Sequence, residues 1–408
     1  MRLLPRLKSL LIEPLSLLLS LTPLRRVLPR QNHFYPHPGA PFEGYYTRIL
    51  TTNGSTVLLI FSSVYKAPHK PSFVHFSLLR PGAGDAPGPG PGSIIVDAFP
   101  QLQEELSADG SHHTFSVNAH SPSSTSPDTV EATASYVTNP QSQQYRLHLL
   151  TPEYGELDIA VELTRRSPWV SYEPHSSPEG IFANLVFLLP LHWHVYSTAS
   201  RADVTVRRGD EVLERSKGIA HVEKNWGVEF PDGWVWVQAF KHPPRVMDSE
   251  SEEIAANHIA PIPSTTTFSL AGGKILGQRA YLLGFQSPTI GQWSFRPLWT
   301  LLPFGFRTPF CTERVDARAG TFELTVCGIW RKLIVRAEAP PDHAGWVPMA
   351  CPLARGHGNT FAYESFDARV HVQAFERAGL GWKLVEDVWM ENGALEFGGD
   401  YSFKAKMD

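Results

Sequence analysis

Apolar and polar residues alternate in several short segments of this chain, and this alternation limits the possible folds more than any other sequence feature. Residues 157–163 (LDIAVEL), 321–327 (TFELTVC) and 367–375 (DARVHVQAF) place apolar side chains at every second position. A period of two is typical of strands with one face in a core and one in solvent, or of a sheet closed around a pocket. Denser apolar runs at 56–65 and 183–190 are typical of strands buried on both faces.

Glycine and proline interrupt these segments too often for a helical bundle, with 31 Gly and 35 Pro among 408 residues. Helical periodicity is rare, and residues 101–106 (QLQEEL) are predicted as one short helical turn. The sequence therefore predicts an all-β protein of antiparallel strands, built as sandwiches or barrels. A boundary near residues 196–202 divides it into an N-terminal β-domain at 31–198 and a C-terminal β-domain at 199–408.

Composition and motifs exclude several classes of function. The chain has 36 Lys and Arg against 40 Asp and Glu, so it has no basic excess for neutralising the phosphates of a nucleic acid. Cys311, Cys327 and Cys351 are too few and too scattered for a disulfide framework or a zinc site, and we expect free or buried thiols. The chain contains no GxSxG, HExxH or GxxxxGK[ST] motif, which removes the usual support for hydrolase, zinc-protease and NTPase functions.

The N-terminal segment, residues 1–30, contains a Leu-rich run at 9–24 (SLLIEPLSLLLSLTPL) with basic residues on both sides. A helix that spans a bilayer needs about 20 apolar residues, and this run is shorter and includes Glu13 and Pro14. It predicts a short membrane-associating helix, interfacial or a signal anchor, rather than a clean span. A helix packed on the domain is the alternative. The expected location is membrane-associated, on endomembranes or at their cytoplasmic face.

Residues 218–240 (GIAHVEKNWGVEFPDGWVWVQAF) carry the densest set of chemically active side chains. We predict a hairpin, because GVEFPDG supplies turn residues between two strands. Alternation along the first strand places three polar side chains on one face, His221, Glu223 and Asn225, and Val222, Lys224 and Trp226 on the other. On the return strand Trp234, Trp236 and Gln238 share a face. The hairpin therefore gathers a carboxyl group, an imidazole, two amides and several indoles.

Two interpretations of this hairpin stay open. Burial in an apolar pocket raises the pKa of a carboxyl group, so an acid held there is able to protonate an alkene, and indole faces stabilise the resulting cation. Alternatively, Glu223 forms a structural ion pair with Lys224 or an arginine, and the tryptophans are core.

A separate pair, His192 and His194, stands at strand spacing. A metal needs three or four convergent ligands and no third is evident nearby, so we expect hydrogen-bonded histidines and no metal.

The segments HVEKNWG and FPDGWVWVQ resemble the signature of the tocopherol cyclase family, in which E-K-N-W-G precedes F-P and a W-x-W-x-Q strand. Residues 36–49 (PHPGAPFEGYYTRI) are similar to the F-E-G-[WY]-Y opening segment of that family. Residues 394–401 (ALEFGGDY) are similar to its closing segment. The three matches occur in the family's order and extend from the start of the predicted β-domains almost to the end of the chain.

The resemblance implies two lipocalin-like β-domains around an apolar cleft, as in the related carotenoid hydratases and fungal Diels–Alderases. It also implies cofactor-free ring closure, in which an acid protonates a prenyl double bond and a phenol oxygen captures the cation. Glu223, His221 and Asn225 are then the candidate catalytic residues. The candidate substrate-binding residues are Trp226, Trp234, Trp236, Gln238, Glu43 and Tyr46. Tyr45 stands where the plastid members have Trp, and a Leu-rich segment replaces their Ser-rich transit sequence.

Three functions follow from these expectations. The first is a cofactor-free cyclase that acts on a hydrophobic prenylated, polyene or polyketide precursor in secondary-metabolite biosynthesis. The second is a Diels–Alder-type pericyclase on the same fold, in which orientation within the pocket supplies the acceleration. The third is a carrier that holds an apolar metabolite or lipid without transforming it. Each has a hydrophobic small molecule as its partner.

Overall fold

The structure of the protein is a computed structural model, and it describes most of the chain beyond residue 33. The described ranges are 34–82, 88–109, 112–121, 130–139, 142–170, 177–184, 189–241, 265–275 and 277–402. The Leu-rich run at 9–24, on which the predicted membrane-associating helix depends, lies outside them. None of the helices in these ranges has the length and hydrophobicity that spanning a bilayer requires. Short 3-10 helices occur at Gly180–Asn184, Pro303–Gly305 and Pro341–His343.

The first sheet is antiparallel and has eleven strands, in the order β4-β3-β2-β1-β11-β10-β9-β8-β7-β6-β5. Most sequence neighbours pair, and β11 returns to lie between β10 and β1. The strands are β1 Phe42–Thr51, β2 Thr56–Val64, β3 Ser72–Leu79, β4 Ile94–Ala98, β5 Gln101–Asp109, β6 His112–His120, β7 Glu131–Thr138, β8 Gln143–Thr151, β9 Gly155–Ser167, β10 Leu191–Arg208 and β11 Glu211–Gly227.

The second sheet is antiparallel and has ten strands, in the order β15-β14-β13-β12-β21-β20-β18-β17-β16, with β19 paired to β20. Here β21 returns to lie between β20 and β12, as β11 does in the first sheet. The strands are β12 Gly233–Phe240, β13 Thr267–Ile275, β14 Gln278–Ser287, β15 Gly291–Phe295, β16 Cys311–Asp316, β17 Thr321–Cys327, β18 Arg331–Glu338, β19 Val347–Leu353, β20 Gly356–Ala378 and β21 Gly381–Gly399.

Each sheet curves until distant strands share one core. In the first, Phe61 on β2 lies 6.1 Å from Tyr136 on β7, measured between ring centroids, although five strands separate them in the sheet order. In the second, Tyr281 on β14 lies 5.7 Å from Phe322 on β17. Burying one face of a single sheet against itself is the principle of a barrel. The predicted all-β fold of two lipocalin-like antiparallel domains is confirmed.

The structure corrects two local expectations. The change of sheet falls at residues 228–232, and the expected boundary between 198 and 199 lies inside β10, which runs unbroken from Leu191 to Arg208. Both halves of that strand pair with β11, so no division is possible there. Residues 101–106 form strand β5 and not a helical turn, because their backbone pairs with β6 over the whole of β5. Pairing with a neighbour outweighs weak local helix propensity.

Candidate functional site

A cavity of about 360 Å³ lies between the two sheets and is lined mainly by apolar side chains. The first sheet contributes Tyr46 from β1 and Glu223 from β11. The second contributes Trp234 from β12, Ala362 from β20 and Glu396 from β21. Small-molecule sites are typically apolar clefts of roughly 300–1,000 Å³ that contain a few polar groups. This cavity has those properties, and both domains supply its wall.

Alternation along β11 decides which residues reach the cavity. Glu223 and Asn225 line it, and His221 lies on the same face directly behind Glu223. The residues between them point the other way, and Val222 belongs to the core of the first domain. The amide of Asn225 makes no side-chain hydrogen bond within the described part of the protein. A substrate group is therefore free to use it.

Trp234 and Trp236 of the signature line the same cavity, but their strand does not form a hairpin with β11. Trp234 and Trp236 lie on β12, which pairs with β13 and β21 in the second sheet, whereas β11 pairs with β1 and β10 in the first. The predicted hairpin over 218–240 is wrong, because the strands on either side of residues 228–232 belong to different sheets. They meet face to face across the cavity and share no backbone hydrogen bonds.

Glu223 is buried at this contact between the sheets and is 3% exposed. Its Oε2 atom lies 2.7 Å from Nε2 of His221, and the indole Nε1 of Trp236 donates to the same oxygen at 3.1 Å. Of these three residues, Trp236 alone comes from the second sheet. The hydrogen bond between Trp236 and Glu223 therefore ties a catalytic candidate of one domain to an aromatic wall of the other.

Glu396 is a second carboxyl group in the cavity wall, and sequence reasoning did not select it. The indole Nε1 of Trp234 donates a hydrogen bond to its Oε1. Burial and the nearby negative charge of Glu223 raise the pKa of Glu396 to about 7, although the hydrogen bond from Trp234 opposes the change. Near neutral pH a substantial fraction of this carboxyl group is protonated while it faces an apolar space.

Glu364 is the third carboxyl group, and sequence reasoning missed it as well. It is fully buried behind the cavity wall, and the hydroxyl of Tyr46 donates to its Oε1 at 2.6 Å. Burial, with the charges of Glu396 and Glu223, raises its pKa well above the usual range. Its Oε2 has no hydrogen-bond partner among the described residues.

Arg48 holds Gln238 away from the cavity. The guanidinium group is fully buried, with Nη1 donating to Oε1 of Gln238 and Nη2 donating to the backbone oxygen of Asn392. Burial lowers the pKa of Arg48, and the neighbouring Tyr46 and Glu364 oppose this change. Gln238, a predicted substrate-binding residue, therefore serves as a hydrogen-bond acceptor between the sheets.

Two further predicted substrate-binding residues, Glu43 and Trp226, lie on the opposite face of the first sheet. Lys224 Nζ lies 2.6 Å from Oε1 of Glu43 and 5.0 Å from the ring centroid of Trp226, and all three side chains are buried. His37 and His192 both stack on the indole of Trp226. The assignment of Glu43 and Trp226 to the pocket is a correction, because strand alternation turns them toward the interior of the first domain.

The ion pair in that interior sets the charge of Glu43. Burial alone would raise the pKa of this carboxyl group, but the ammonium of Lys224 and the hydrogen bond from His37 reverse the effect and lower the pKa to about 2. Lys224 also donates to the backbone oxygen of Tyr35 at 2.5 Å. The adjacent Glu and Lys of the signature thus have different roles. Glu223 lines the cavity, and Lys224 anchors the strand through its contacts on the opposite face of the sheet.

The remaining candidates for ligands and nucleophiles lie elsewhere or are occupied. Nδ1 of His192 lies 2.9 Å from Oε2 of Glu179, so this histidine is hydrogen-bonded, as expected. Within the described ranges, His148, Glu156 and Asp158 form a metal-sized cluster, which is partly exposed and lies outside the cavity. All three cysteines are free thiols, as predicted.

The chain matches the tocopherol cyclase-like family over residues 39–247, just over half of its length. It therefore belongs to that family, which confirms the resemblance seen at residues 36–49 and 218–240. The match covers every strand of the first sheet and reaches β12 of the second, so it includes both sides of the Glu223–Trp236 contact. Among curated protein sequences no significant match is found.

Solved structures with similar folds include three that extend along nearly the whole chain. CghA is similar with a TM-score of 0.50 at 10% identity, over 91% of this chain and 92% of that one. CghA with Sch210972 gives a TM-score of 0.44 at 10% identity, over 89% of each chain. Kievitone hydratase from Nectria haematococca gives a TM-score of 0.37 at 10% identity, over 90% of this chain and 92% of that one. At this identity the likeness to CghA concerns the fold alone.

Proposed function

We propose that this protein is a cyclase that binds an apolar prenylated, polyene or polyketide precursor between its two sheets and closes a ring by proton-initiated chemistry. Membership of the tocopherol cyclase-like family supports a cyclase. The observation that carries the proposal is the carboxyl group of Glu396, which lines an apolar cavity and has a pKa of about 7. An acid with a pKa near the working pH is best suited to donate a proton.

The proposed first step transfers the proton of Glu396 to one carbon of a substrate double bond. A tertiary cation forms at the other carbon, and the faces of Trp234 and Trp236 stabilise it. The negative charge of Glu223, which is held by His221 and Trp236, adds electrostatic stabilisation from the opposite wall. This division gives Glu396 the role of donor and Glu223 the role of charge stabiliser.

The second step is capture of the cation by a hydroxyl group of the same substrate. A C–O bond forms, and the hydroxyl proton returns to the carboxylate of Glu396. The reaction is an isomerisation without net oxidation, so these side chains suffice for its proton balance. Asn225, whose amide has no side-chain partner in the described part of the chain, is the proposed anchor for a substrate carbonyl or hydroxyl.

A Diels–Alder-type reaction is the second candidate, and the polar groups of the wall favour it. A protonated Glu396 and the amide of Asn225 are hydrogen-bond donors suited to polarising the carbonyl of a dienophile. The apolar walls would then fold the diene onto it. This reaction moves no proton to carbon.

Metabolite profiling after deletion of the gene is the primary test. An uncyclised precursor that accumulates in the deletion strain identifies the substrate, which is then incubated with purified protein in deuterated water. Deuterium at a carbon of the product supports protonation, and a cyclised product without deuterium supports the pericyclic reaction. If the precursor is recovered unchanged and native mass spectrometry shows it bound, the protein is a carrier and the cyclase proposal fails.

A further inference from the structure

One surface of the second domain exposes a cluster of large apolar side chains, which we call the aromatic patch. It is formed by the connection between β15 and β16 and by the turn between β17 and β18. Phe304 is 77% exposed, Phe306 71% and Trp330 55%. Leu298, Phe310 and Ile329 complete the patch, each almost half exposed. Most exposed apolar residues of soluble proteins occur singly, and clusters of this kind mark interaction sites.

The two segments that form the patch are in contact. The backbone N–H of Cys327 donates to the oxygen of Phe310 at 2.7 Å, which brings the turn at 328–331 beside the connection. The ring of Trp299 lies 5.2 Å from that of Phe310. Phe304 has a φ of 50°, a conformation that bulky side chains rarely adopt, and its ring nevertheless points into solvent. Folding does not require an aromatic residue there.

The two segments that form the patch carry charged residues of one sign. Residues 296–310 and 327–333 contain Arg296, Arg307, Arg331 and Lys332 and no Asp or Glu, although the chain as a whole has a net charge of −4. Aromatic side chains interspersed with basic residues are typical of surfaces that bind the interface of an anionic membrane. An acidic protein partner would satisfy the charges but would not require so many exposed rings.

The patch adjoins one end of the cavity. The backbone N–H of Phe304 donates to Oε1 of Gln278 at 2.8 Å, and Gln278 lines the cavity. Pro297 and Leu301, from the same connection, line it as well. This end of the cavity therefore lies beside the exposed rings.

We propose that the aromatic patch docks on a lipid bilayer containing anionic headgroups, which places this end of the cavity against the membrane interface. Phe304, Phe306 and Trp330 enter the headgroup region, and Arg307 and Lys332 contact lipid phosphates. This inference concerns where the protein binds and does not depend on which reaction it catalyses. It is also separate from the prediction made for residues 9–24.

The test compares full-length variants in a vesicle sedimentation assay. The double variant Phe304→Asn/Phe306→Ser removes both rings, and Asn tolerates the backbone conformation at position 304. The matched control, Leu106→Ser/Leu150→Ser, removes two exposed apolar side chains from the first domain. We expect the patch variant to lose roughly tenfold or more of its partitioning onto phosphatidylcholine vesicles that contain phosphatidylserine, and the control to bind like the wild type.

A second variant tests the electrostatic part and remains informative if the first misfolds. Arg307→Glu/Lys332→Glu should lose the preference for vesicles with phosphatidylserine over vesicles of phosphatidylcholine alone. Equal binding by the wild type and both variants would overturn the proposal and assign vesicle binding to another segment. Absence of vesicle binding by the wild type, with a dimer in sedimentation velocity that the patch variant abolishes, would make the patch an interface between copies of the chain.

Discussion

Glu364 and Glu396 stand directly opposite each other on β20 and β21, so two carboxyl side chains share one face of the second sheet beside the cavity. Like charges at opposed positions of neighbouring strands are unfavourable. The protein resolves this by burial, which together with the charge of Glu396 raises the pKa of Glu364 well above its usual range. Glu364 and Glu396 thus form a pair of acidic side chains whose outer member, Glu396, faces the cavity.

The first prediction concerns the pH dependence of ring closure. The acid form of Glu396 is lost as pH rises through its pKa of about 7, so kcat should fall above about pH 7 with the loss of one proton. This fall is the alkaline limb of the pH–rate profile. Glu396→Gln should lower kcat by roughly 10²–10⁴-fold and abolish this limb. Glu386→Gln on the same strand, which bonds Ser287 outside the cavity, is the control and should keep the limb. An unaltered profile in Glu396→Gln would assign the donor to another group.

The second prediction concerns Glu223, whose negative charge helps to raise the pKa of Glu396. In Glu223→Gln that charge is gone, so the midpoint of the alkaline limb should move to lower pH while kcat falls. A purely structural role for Glu223 would lower the amount of folded enzyme and leave the midpoint in place. Rate–pH profiles of the two proteins, normalised to folded protein, separate these outcomes. Unchanged turnover would remove Glu223 from the chemistry.

The third prediction concerns Trp234 and is a shift of the alkaline limb in the opposite direction. The hydrogen bond from Trp234 lowers the pKa of Glu396, so Trp234→Phe, which keeps an aromatic wall without the donor, should move the alkaline limb to higher pH. Trp346→Phe is the matched control, because its indole donates to the oxygen of Pro340 outside the cavity. A midpoint that stays fixed in Trp234→Phe would contradict the assignment of the limb to Glu396.

The fourth prediction concerns stability and the buried pair of Lys224 and Glu43. Lys224→Met leaves an uncompensated carboxylate and should lower the free energy of unfolding by about 3–5 kcal/mol in urea titrations. The double variant Lys224→Met/Glu43→Gln should recover part of that loss. Lys274 pairs with the exposed Asp400, so Lys274→Met should change the free energy of unfolding by less than about 1 kcal/mol. Equal effects of the two lysine variants would show that burial of the first pair is unimportant.

The fifth prediction follows from the pKa of Glu43, about 2 in the folded protein against an ordinary value of 4.5. A lowered pKa means that the ion pair contributes its full stability above pH 4.5, and that this stability is lost as pH falls through about 2. The contribution is about 1.4 kcal/mol for each unit of pKa difference between the folded and unfolded chain. Acid titrations of unfolding should show a weaker pH dependence in Glu43→Gln than in the wild type.

Much of the fold was predictable because period-2 alternation reports directly which face of a strand is buried. Residues 157–163 form part of β9 and residues 321–327 form the whole of β17, with their apolar side chains in the two cores. Glu223, Trp234 and Trp236, which the family signature selects, line one cavity. Local pattern does not encode strand order, and for that reason the change of sheet at residues 228–232 looked like an ordinary turn.

The two missed acids had a weaker signal. Glu396 and Glu364 are each a single carboxyl residue in a largely apolar strand segment, ALEFGG and FAYESF. Such residues look like solvent-facing positions of a half-buried strand. Only the contact between sheets shows that this face is covered, since residues far apart in the chain, such as Tyr46 and Glu364, meet there. The misassignment of Glu43 has a simpler cause. Adjacent residues of a motif on a strand point to opposite faces of the sheet, so not every residue of the motif reaches the cavity.

Because the chain changes sheet within the signature, the proposed reaction centre is built from two halves, each with its own hydrophobic core. A chain severed at residues 228–232 would leave His221 and Glu223 on one fragment and Trp234, Trp236 and Glu396 on the other. Neither fragment would hold a complete set of acid, charge and aromatic wall. The proposed catalysis therefore depends on docking of the two halves, and a small hinge motion between them would change the distance between the proposed donor Glu396 and the proposed charge stabiliser Glu223.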